Sequence, residues 1–395
     1  MLLCVLLGKG ISVFATVLLS IFPSMMMGEQ MIFAVVAIVG GMVGIFRSST
    51  LNQRSQFMSA SLYIAAANMV AIIAWGLING QSYKVIGIGM LLGILNGAFA
   101  SVLSIGLLPF IESGFRITTM MRLMELSNTN NPLLKRLMME APGTYHHSVL
   151  VGNLAEAAAT EIGADPLIVR VASYYHDVGK LKRPFFFIEN QMNEENVHDK
   201  LQPNLSTLII TSHVKDGVEM LREQKFPEEI IRIAEQHHGN SVLSFFYRKA
   251  QEQAENPETV RQEDFCYPGP RPSTKESALV MLADSVQAAV QSMNNPSKGQ
   301  VEQKIREIIK AKVDDGQLEE CPLTFGDLDA IAKSFTSVLV GMHHHRIVYP
   351  DEVAKQMKGV NNPNDHKVDA PETEPAGELA APTAPAVAES GAEDA

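Results

Sequence analysis

The charged residues of this 395-residue chain are distributed very unevenly. Residues 1–113 contain only four of its 32 Lys and Arg side chains and two of its 43 Asp and Glu side chains. Between these six charges lie four uncharged runs of 17 to 29 residues, namely 10–28, 30–46, 55–83 and 85–111. A helix needs about 20 apolar residues to cross a bilayer, and about 17 is near the lower limit. The sequence therefore predicts about four transmembrane helices in residues 1–113 and excludes a purely soluble protein.

The positions of Lys and Arg predict how these helices are oriented, since basic residues are enriched on the cytoplasmic side. Arg47 and Arg54 lie in the second loop, and Arg116 and further basic residues follow the fourth run. With four spans, both segments lie on one side, so we expect the N-terminus and the rest of the chain in the cytoplasm. No ionisable residue lies in mid-span, which favours an anchor or signal-receiving element over an ion pathway. The first run follows Lys9 as in a signal peptide, but it is long and lacks an evident cleavage site, so we expect it to be retained.

The remainder of the chain has the pattern of a soluble helical domain. Apolar residues recur at helical spacing, and Asn131 before Pro132 is typical of a helix start. Thr324 with Asp327 is typical of another. Because no run alternates with period two, we predict an all-α fold, with a helical domain over residues 114–361 behind the transmembrane bundle. Residues 362–395 are rich in Ala, Pro and acidic residues and predict a disordered tail.

Charge and cysteine content exclude two further classes. The net charge is −11, and no basic stripe stands out, so duplex nucleic acid is not an expected partner. Cys4, Cys266 and Cys321 lie far apart and form no C-x-x-C pair. This spacing argues against a disulfide framework and against a cysteine zinc site.

The helical domain contains an ordered set of metal-ligating residue types. Its candidate members are His147, His176, Asp177, His213, His237, His238 and Asp284. Neutral imidazole and carboxylate suit Fe, Mn, Zn or Ni, and thiolate is absent from the set. A single histidine on an amphipathic helix more often packs or is exposed, and for His146, which lies beside a candidate ligand, we expect a role in supporting the ligands or in packing. The ordered set of seven is far more specific than any of its members.

Adjacent residues in a helix point about 100° apart, so two neighbours share a site most easily where a helix ends. The pairs His176-Asp177 and His237-His238 are both followed closely by a glycine, Gly179 and Gly239 respectively. Glycine permits the backbone conformations that terminate helices. We therefore predict that each pair lies at a helix end.

The order H…HD…H…HH…D resembles the HD-domain metal-dependent phosphohydrolase superfamily. It is more closely similar to the membrane-bound family of seven-transmembrane receptors with an HD domain. The segments that carry the resemblance are residues 140–148, 175–184, 187–191, 210–217, 235–239, 267–270 and 315–318. They occur in one order over some 200 residues, and the match covers the last membrane helices and nearly all of residues 113–350. Family members usually have seven spans and a large extracellular domain, so this chain is either a piece of a longer protein or a shortened member.

The resemblance implies a centre of two divalent transition metal ions, Fe or Mn. One metal would be held by His147, His176, Asp177 and Asp284, and the other by Asp177, His213, His237 and His238. Asp177 would bridge the two metals. For Lys180, which follows Asp177 closely, two interpretations stay open. In the first, Lys180 is a catalytic residue together with Asp177 and neutralises a phosphate oxygen. In the second, its charge only complements the helix dipole at a helix C-terminus.

The implied function is that of a membrane-anchored phosphodiesterase in the inner membrane of a bacterium. It would hydrolyse cyclic di-AMP to the linear dinucleotide with a metal-activated hydroxide. Its expected partners are this substrate and the lipid bilayer, and a homo-oligomer stays open. Two alternatives are an HD receptor that binds a nucleotide with little or no cleavage, and an HD phosphohydrolase acting on another nucleotide. The Gly-Tyr-Pro tripeptide expected of cyclic di-GMP enzymes is absent from the sequence.

Overall fold

A computed structural model describes residues 1–28, 30–48, 55–115, 117–191 and 196–343. Within these ranges the chain is helical and contains no β-strand, only an isolated bridge between Val242 and Cys266. The prediction of an all-α fold is confirmed. Arg54 and Arg116, which helped to predict the orientation, lie outside the described residues, and so does the predicted tail 362–395.

The first part of the chain forms a bundle of apolar helices. They are α1 (Leu2–Leu7), α2 (Lys9–Met26), α3 (Met31–Ser48), α4 (Ser55–Ile78) and α5 (Tyr83–Phe115). Four helices in the described ranges, α2 to α5, are long and apolar enough to cross a membrane, the same number as the predicted spans. The short helix α1 was not expected from the uncharged runs. It is separated from α2 by Gly8, whose φ of 83° suits glycine and interrupts the helix.

Small and polar side chains hold α4 and α5 together. Asn68 Nδ2 donates to Asn96 Oδ1 at 3.2 Å across the two helices. At Gly97, a Cβ atom would lie only 2.8 Å from the carbonyl oxygen of Ser61. Glycine at this position therefore lets the two backbones approach closely. Both features are usual between transmembrane helices, where packing and interhelical hydrogen bonds replace the hydrophobic effect.

The second part, which we call the helical domain, has ten α-helices in the described residues 120–191 and 196–343. They are α6 (Met120–Leu126), α7 (Pro132–Glu140), α8 (Pro142–Ile162), α9 (Pro166–Tyr175), α10 (Pro203–Glu223), α11 (Glu228–Gln236), α12 (Ser244–Gln253), α13 (Lys275–Gln291), α14 (Lys298–Asp314) and α15 (Phe325–His343). The predicted starts are confirmed: Asn131 accepts the backbone N–H of Leu133, and Thr324 exchanges two hydrogen bonds with Asp327. These caps satisfy N–H groups that a helix start leaves without partners.

Helix α8 lies at the centre of the domain. It packs against α9, α13 and α15. Its residues Val151, Leu154 and Ala158 are fully buried, as are Leu282 and Val286 on α13. Burying a Leu or Val side chain stabilises a fold by about 1.5–3 kcal/mol. The core therefore fixes α8 and α13 against each other, and the domain's polar centre is built on these two helices.

Helix α6 connects the bundle to the helical domain. Met121 packs with Phe57 and Leu108 of the bundle, whereas Leu126 belongs to the core of the helical domain. The buried hydroxyl of Tyr175 donates to the carbonyl oxygen of Leu126 at 2.6 Å. Tyr175 is the last residue of α9, so this bond fixes the position of the chain just before His176.

The turn after α9 packs tightly against α10 because residue 179 is glycine. A Cβ atom on Gly179 would lie 1.9 Å from the carbonyl oxygen of His213 and 2.5 Å from the backbone nitrogen of Gly217. Since both neighbours are backbone atoms, they cannot move aside as a side chain can. Because Gly179 has no side chain, residues 177–182 can pack directly against His213.

We predict that Gly179→Ala destabilises the protein by about 3 kcal/mol or more, because overpacking against backbone forces the turn away from α10. The matched control is Gly299→Ala in the first turns of α14, where a Cβ atom would meet nothing within 4 Å. There we expect a gain of about 0.5 kcal/mol from helix propensity. Thermal unfolding of the two variants in detergent checks this, and equal unfolding temperatures would contradict the account.

Candidate metal centre

Seven side chains converge inside the helical domain from five elements. They are His147 on α8, His176 and Asp177 at the end of α9, His213 on α10, His237 and His238 after α11, and Asp284 on α13. His238 is partly exposed, and the other six are buried. The structure thus brings together all seven residues that the sequence singled out. His146 is exposed, which contradicts a packing role, one of the two roles expected for it.

The seven residues form two groups of four that share Asp177. One group is His147, His176, Asp177 and Asp284, and the other is Asp177, His213, His237 and His238. Within each group, one potential ligand atom per residue lies within 4.8 Å of all the others. These are the two ligand sets that the resemblance implies.

The two oxygens of Asp177 face different groups. Its Oδ2 lies 3.2 Å from His176 Nε2 and 3.7 Å from His147 Nε2. Its Oδ1 lies 3.2 Å from His213 Nε2 and 3.7 Å from His237 Nε2. A carboxylate in this position can offer one oxygen to each of two cations.

Asp284 completes the first group and also approaches the second. Its Oδ1 lies 2.9 Å from His147 Nε2 and 3.8 Å from His176 Nε2. Its Oδ2 lies 3.6 Å from His238 Nδ1. The ring of His238 stacks on Tyr267, with ring centroids 4.1 Å apart and planes 25° apart.

Three of the histidines are oriented by the backbone. Their Nδ1 atoms lie 2.5–2.7 Å from the carbonyl oxygen three residues earlier, in the pairs His176–Ser173, His213–Ile210 and His237–Ala234. A carbonyl only accepts, so each Nδ1 carries the hydrogen. Each ring therefore directs Nε2 to the centre, and Nε2 offers a lone pair to a metal once the ring is neutral.

Two atoms of the centre lack satisfactory hydrogen bonds. Within the described residues, His176 Nε2 and Asp177 Oδ1 are buried and have no partner in hydrogen-bond geometry, although other ligand atoms lie 3.2 Å away. Buried polar atoms are nearly always paired, so exceptions call for a physical explanation. Nitrogen and oxygen donors in this arrangement fit divalent transition metal ions.

The electrostatics of the buried groups support ionised carboxylates. Burial raises the pKa of Asp177, but His176 and Lys180 outweigh it and hold that pKa well below its usual range. Burial also raises the pKa of Asp284, but the histidines around it outweigh burial and hold that pKa well below its usual range. Burial lowers the pKa of His237 to about 4, so this ring is neutral at pH 7. For His176, burial is outweighed by the two carboxylates, which raise its pKa to about 10.

Lys180 points into the centre from the turn after Asp177. Its Nζ lies 2.9 Å from Asp177 Oδ2 and 2.7 Å from Glu189 Oε1. Burial lowers the pKa of Lys180, but Asp177 and Glu189 outweigh burial and raise it, so the side chain is cationic. Thr144 Oγ1 also donates to Glu189 Oε1, at 3.0 Å.

Sequence reasoning assigned no role to Glu189 or Tyr267, although both lie in segments that carried the resemblance. Glu189 is nine residues from Lys180 and reaches it across a turn, which has no periodic pattern. Two aromatic rings lie beside the centre: Tyr267 stacks on His238, and the ring centroid of Phe187 lies 5.7 Å from that of His213. Only the position of these residues inside quoted motifs gave a signal.

The fold and the centre together define a class: a membrane protein whose helical domain carries the histidine and aspartate cluster of an HD domain. Residues 1–119 match the family described as 7TM receptor with intracellular HD hydrolase, and residues 144–289 match the HD domain. The chain therefore belongs to the family of seven-transmembrane receptors with an intracellular HD hydrolase domain.

Two curated relatives support this family assignment. The chain is 46% identical over 358 residues to the cyclic-di-AMP phosphodiesterase PgpH of Bacillus subtilis, covering 89% of this chain and 50% of the relative. It is 41% identical over 317 residues to PgpH of Listeria monocytogenes, covering 80% of this chain and 44% of the relative. The chain thus spans about half the length of these curated relatives.

Two solved structures support the same family assignment. The crystal structure of the HD domain of L. monocytogenes PgpH matches with a TM-score of 0.52 and 47% identity, covering 54% of this chain and 100% of that domain. The same domain in complex with cyclic di-AMP matches with a TM-score of 0.53 and 47% identity, covering 55% of this chain.

We predict that metal binding releases at least one proton per chain at pH 8. His176 is protonated at that pH because its pKa is about 10, and a histidine ligand must be neutral. Metal affinity should therefore rise as the pH rises from 6 to 8. Calorimetric titration of Mn²⁺ in two buffers of different ionisation enthalpy measures the proton count, and a count of zero would contradict the protonation assigned to His176.

Proposed function

We propose that the chain is a membrane-anchored, metal-dependent phosphodiesterase that hydrolyses cyclic di-AMP to the linear dinucleotide. The observation that carries this proposal is the position of Asp177, with one oxygen toward each of two histidine groups. Two-metal sites are common in enzymes that cleave phosphate esters, because two cations stabilise both the attacking and the leaving oxygen.

The residues of each group would hold one divalent cation, with Fe²⁺ or Mn²⁺ as the proposed metals. When bound, two such cations supply Lewis acidity and lower the pKa of water. The chain supplies the geometry: Asp177 spans both positions, and the backbone carbonyls behind His176 and His213 fix the directions of their rings. Fixed ligands hold the cations without reorganisation during the reaction.

Lys180 is proposed to neutralise a non-bridging oxygen of the scissile phosphate. It is a partly buried cation beside the shared carboxylate, where a charge acts more strongly than in water. Glu189 holds the ammonium group from the other side, and Thr144 holds Glu189. The alternative, a lysine that only complements a helix dipole, does not account for this inward position.

The identity of the substrate is supported by the relatives. The B. subtilis and L. monocytogenes proteins are named cyclic-di-AMP phosphodiesterases, and the solved L. monocytogenes domain holds cyclic di-AMP. We extend that substrate to this chain, whose helical domain carries the complete ligand set. A receptor that binds without cleavage is disfavoured because none of the seven ligands is missing.

The location is proposed from the membrane helices. Four spans place both ends of the bundle on one side, and Arg47 in the last turn of α3 lies on that side as well. Basic residues favour the cytoplasmic side. We therefore infer a multi-pass protein of the bacterial inner membrane with its helical domain in the cytoplasm, where it acts as a monomer or homo-oligomer.

The direct test uses the full chain purified in detergent, loaded with Mn²⁺ or Fe²⁺ and given cyclic di-AMP. We expect conversion to the linear dinucleotide, and loss of turnover in Asp177→Ala because both metal positions lose a ligand. Parallel assays with cyclic di-GMP and nucleoside triphosphates separate the alternative substrates. No turnover with either metal, or full turnover in Asp177→Ala, would refute the proposal.

A second prediction concerns Lys180. We expect Lys180→Met to lower kcat about 10²-fold with both metals retained, because one charge-stabilising donor is lost. The matched control is Lys182→Met, two residues away, whose ammonium group pairs with Asp216 and Glu219 at the surface. Steady-state kinetics with metal analysis compares them, and equal rates for the two variants would exclude the proposed role.

A further inference from the structure

Gln287 lies against the ring of His147 on the side away from the centre. It is on α13, nearly one turn after Asp284, and it is buried. Its Oε1 lies 2.5 Å from His147 Nδ1, and its Nε2 donates to Gln291 Oε1 at 2.6 Å. On the other side of the ring, Asp284 Oδ1 lies 2.9 Å from Nε2. Helix α13 thus contacts both nitrogens of this one ligand.

These two contacts compete for a single hydrogen. A neutral imidazole carries one N–H, and both Asp284 Oδ1 and Gln287 Oε1 can accept it. The carboxylate is the stronger acceptor. Without a competing acceptor at Nδ1, Asp284 would therefore hold the hydrogen on Nε2. That tautomer removes the lone pair from Nε2, the atom that faces Asp177 and Asp284. With the hydrogen on Nδ1 instead, Gln287 accepts it and Nε2 keeps its lone pair.

His147 differs in this respect from His176, His213 and His237. Those three rings donate Nδ1–H to a backbone carbonyl three residues earlier, which no side-chain substitution removes. His147 depends on a side chain that is 140 residues away in the sequence. Its orientation can therefore be changed without altering any ligand or any backbone group.

We propose that Gln287 is a positioning residue that selects the Nδ1–H tautomer of His147 and so makes Nε2 available to a divalent cation. The effect is confined to the group of His147, His176, Asp177 and Asp284. The group that contains His213 keeps its own backbone partners and is unaffected. This inference rests on the proposed two-metal centre, and it adds a residue that lies outside the ligand set.

The test is a Mn²⁺ titration of the full chain in detergent, with free Mn²⁺ followed by electron paramagnetic resonance. The unsubstituted chain should bind two ions. In Gln287→Leu, which keeps the size but removes the acceptor, we expect one of the two affinities to fall about 10–100-fold, as is usual when the partner of a ligating histidine is lost. In Gln287→Glu a carboxylate oxygen again accepts from Nδ1, so both affinities should return.

Gln303→Leu is the matched control. Gln303 is an exposed glutamine on α14 that donates to Glu307 one turn later, much as Gln287 donates to Gln291. Both Mn²⁺ affinities should stay unchanged in this variant. Thermal unfolding accompanies each titration, and Gln287→Met replaces Gln287→Leu if the latter does not fold.

Three outcomes would overturn the inference. Unchanged affinities in Gln287→Leu would show that His147 needs no acceptor at Nδ1. Equal losses in Gln287→Leu and Gln287→Glu would show a purely steric role. In both of these outcomes the unsubstituted chain still binds two ions, so this inference would fail while the proposed function stands. The third outcome, no Mn²⁺ binding by the unsubstituted chain, would overturn both.

Discussion

The carboxylate of Asp177, buried between two groups of histidines, is the feature on which the arrangement of the helical domain depends. An unpaired buried charge is costly, by several kcal/mol per ion even after relaxation. His176 Nε2 at 3.2 Å and Lys180 Nζ at 2.9 Å compensate it. The same property explains the proposed function, because a carboxylate with an oxygen toward each group is suited to hold two cations.

Three of the other six ligands, His176, His237 and His238, reach Asp177 from the ends of helices. His176 is the C-cap residue that directly follows α9, and His237 occupies the same position after α11. At such an end the next residue can turn away from the helix direction, so His176-Asp177 and His237-His238 each serve one centre, as predicted. Gly239, with a φ of 54°, and the close approach at Gly179 make the two turns possible. The central helices α8 and α13 then contribute His147 and Asp284 from a rigid core.

Much of this could be predicted from the sequence because it depends on local patterns. Uncharged runs predicted the four spans, and caps such as Asn131 predicted helix starts. The order of the histidines and aspartates predicted which seven side chains meet, through a resemblance that spans many motifs. The first two signals work because the length of a run and a helix cap are properties of neighbouring residues. The third works because the order of motifs is visible along the sequence.

The remaining contacts could not be predicted because they join distant residues without a periodic signal. Gln287 meets His147 across 140 residues, and a glutamine on a helix is ordinarily exposed. Glu189 reaches Lys180 through a turn, and Tyr267 stacks on His238 from a loop. His146 precedes the ligand His147 directly on α8, and because adjacent helix residues point about 100° apart, it is exposed whereas His147 is buried.

Asp177 is proposed to be shared by two metal ions. Anomalous X-ray diffraction from crystals of the Mn²⁺-loaded protein tests it most directly, because it locates metals independently of any assay. The account predicts two peaks about 3.5–4 Å apart, each beside a different oxygen of Asp177. A single peak, or two peaks of which one lies away from Asp177, would contradict it.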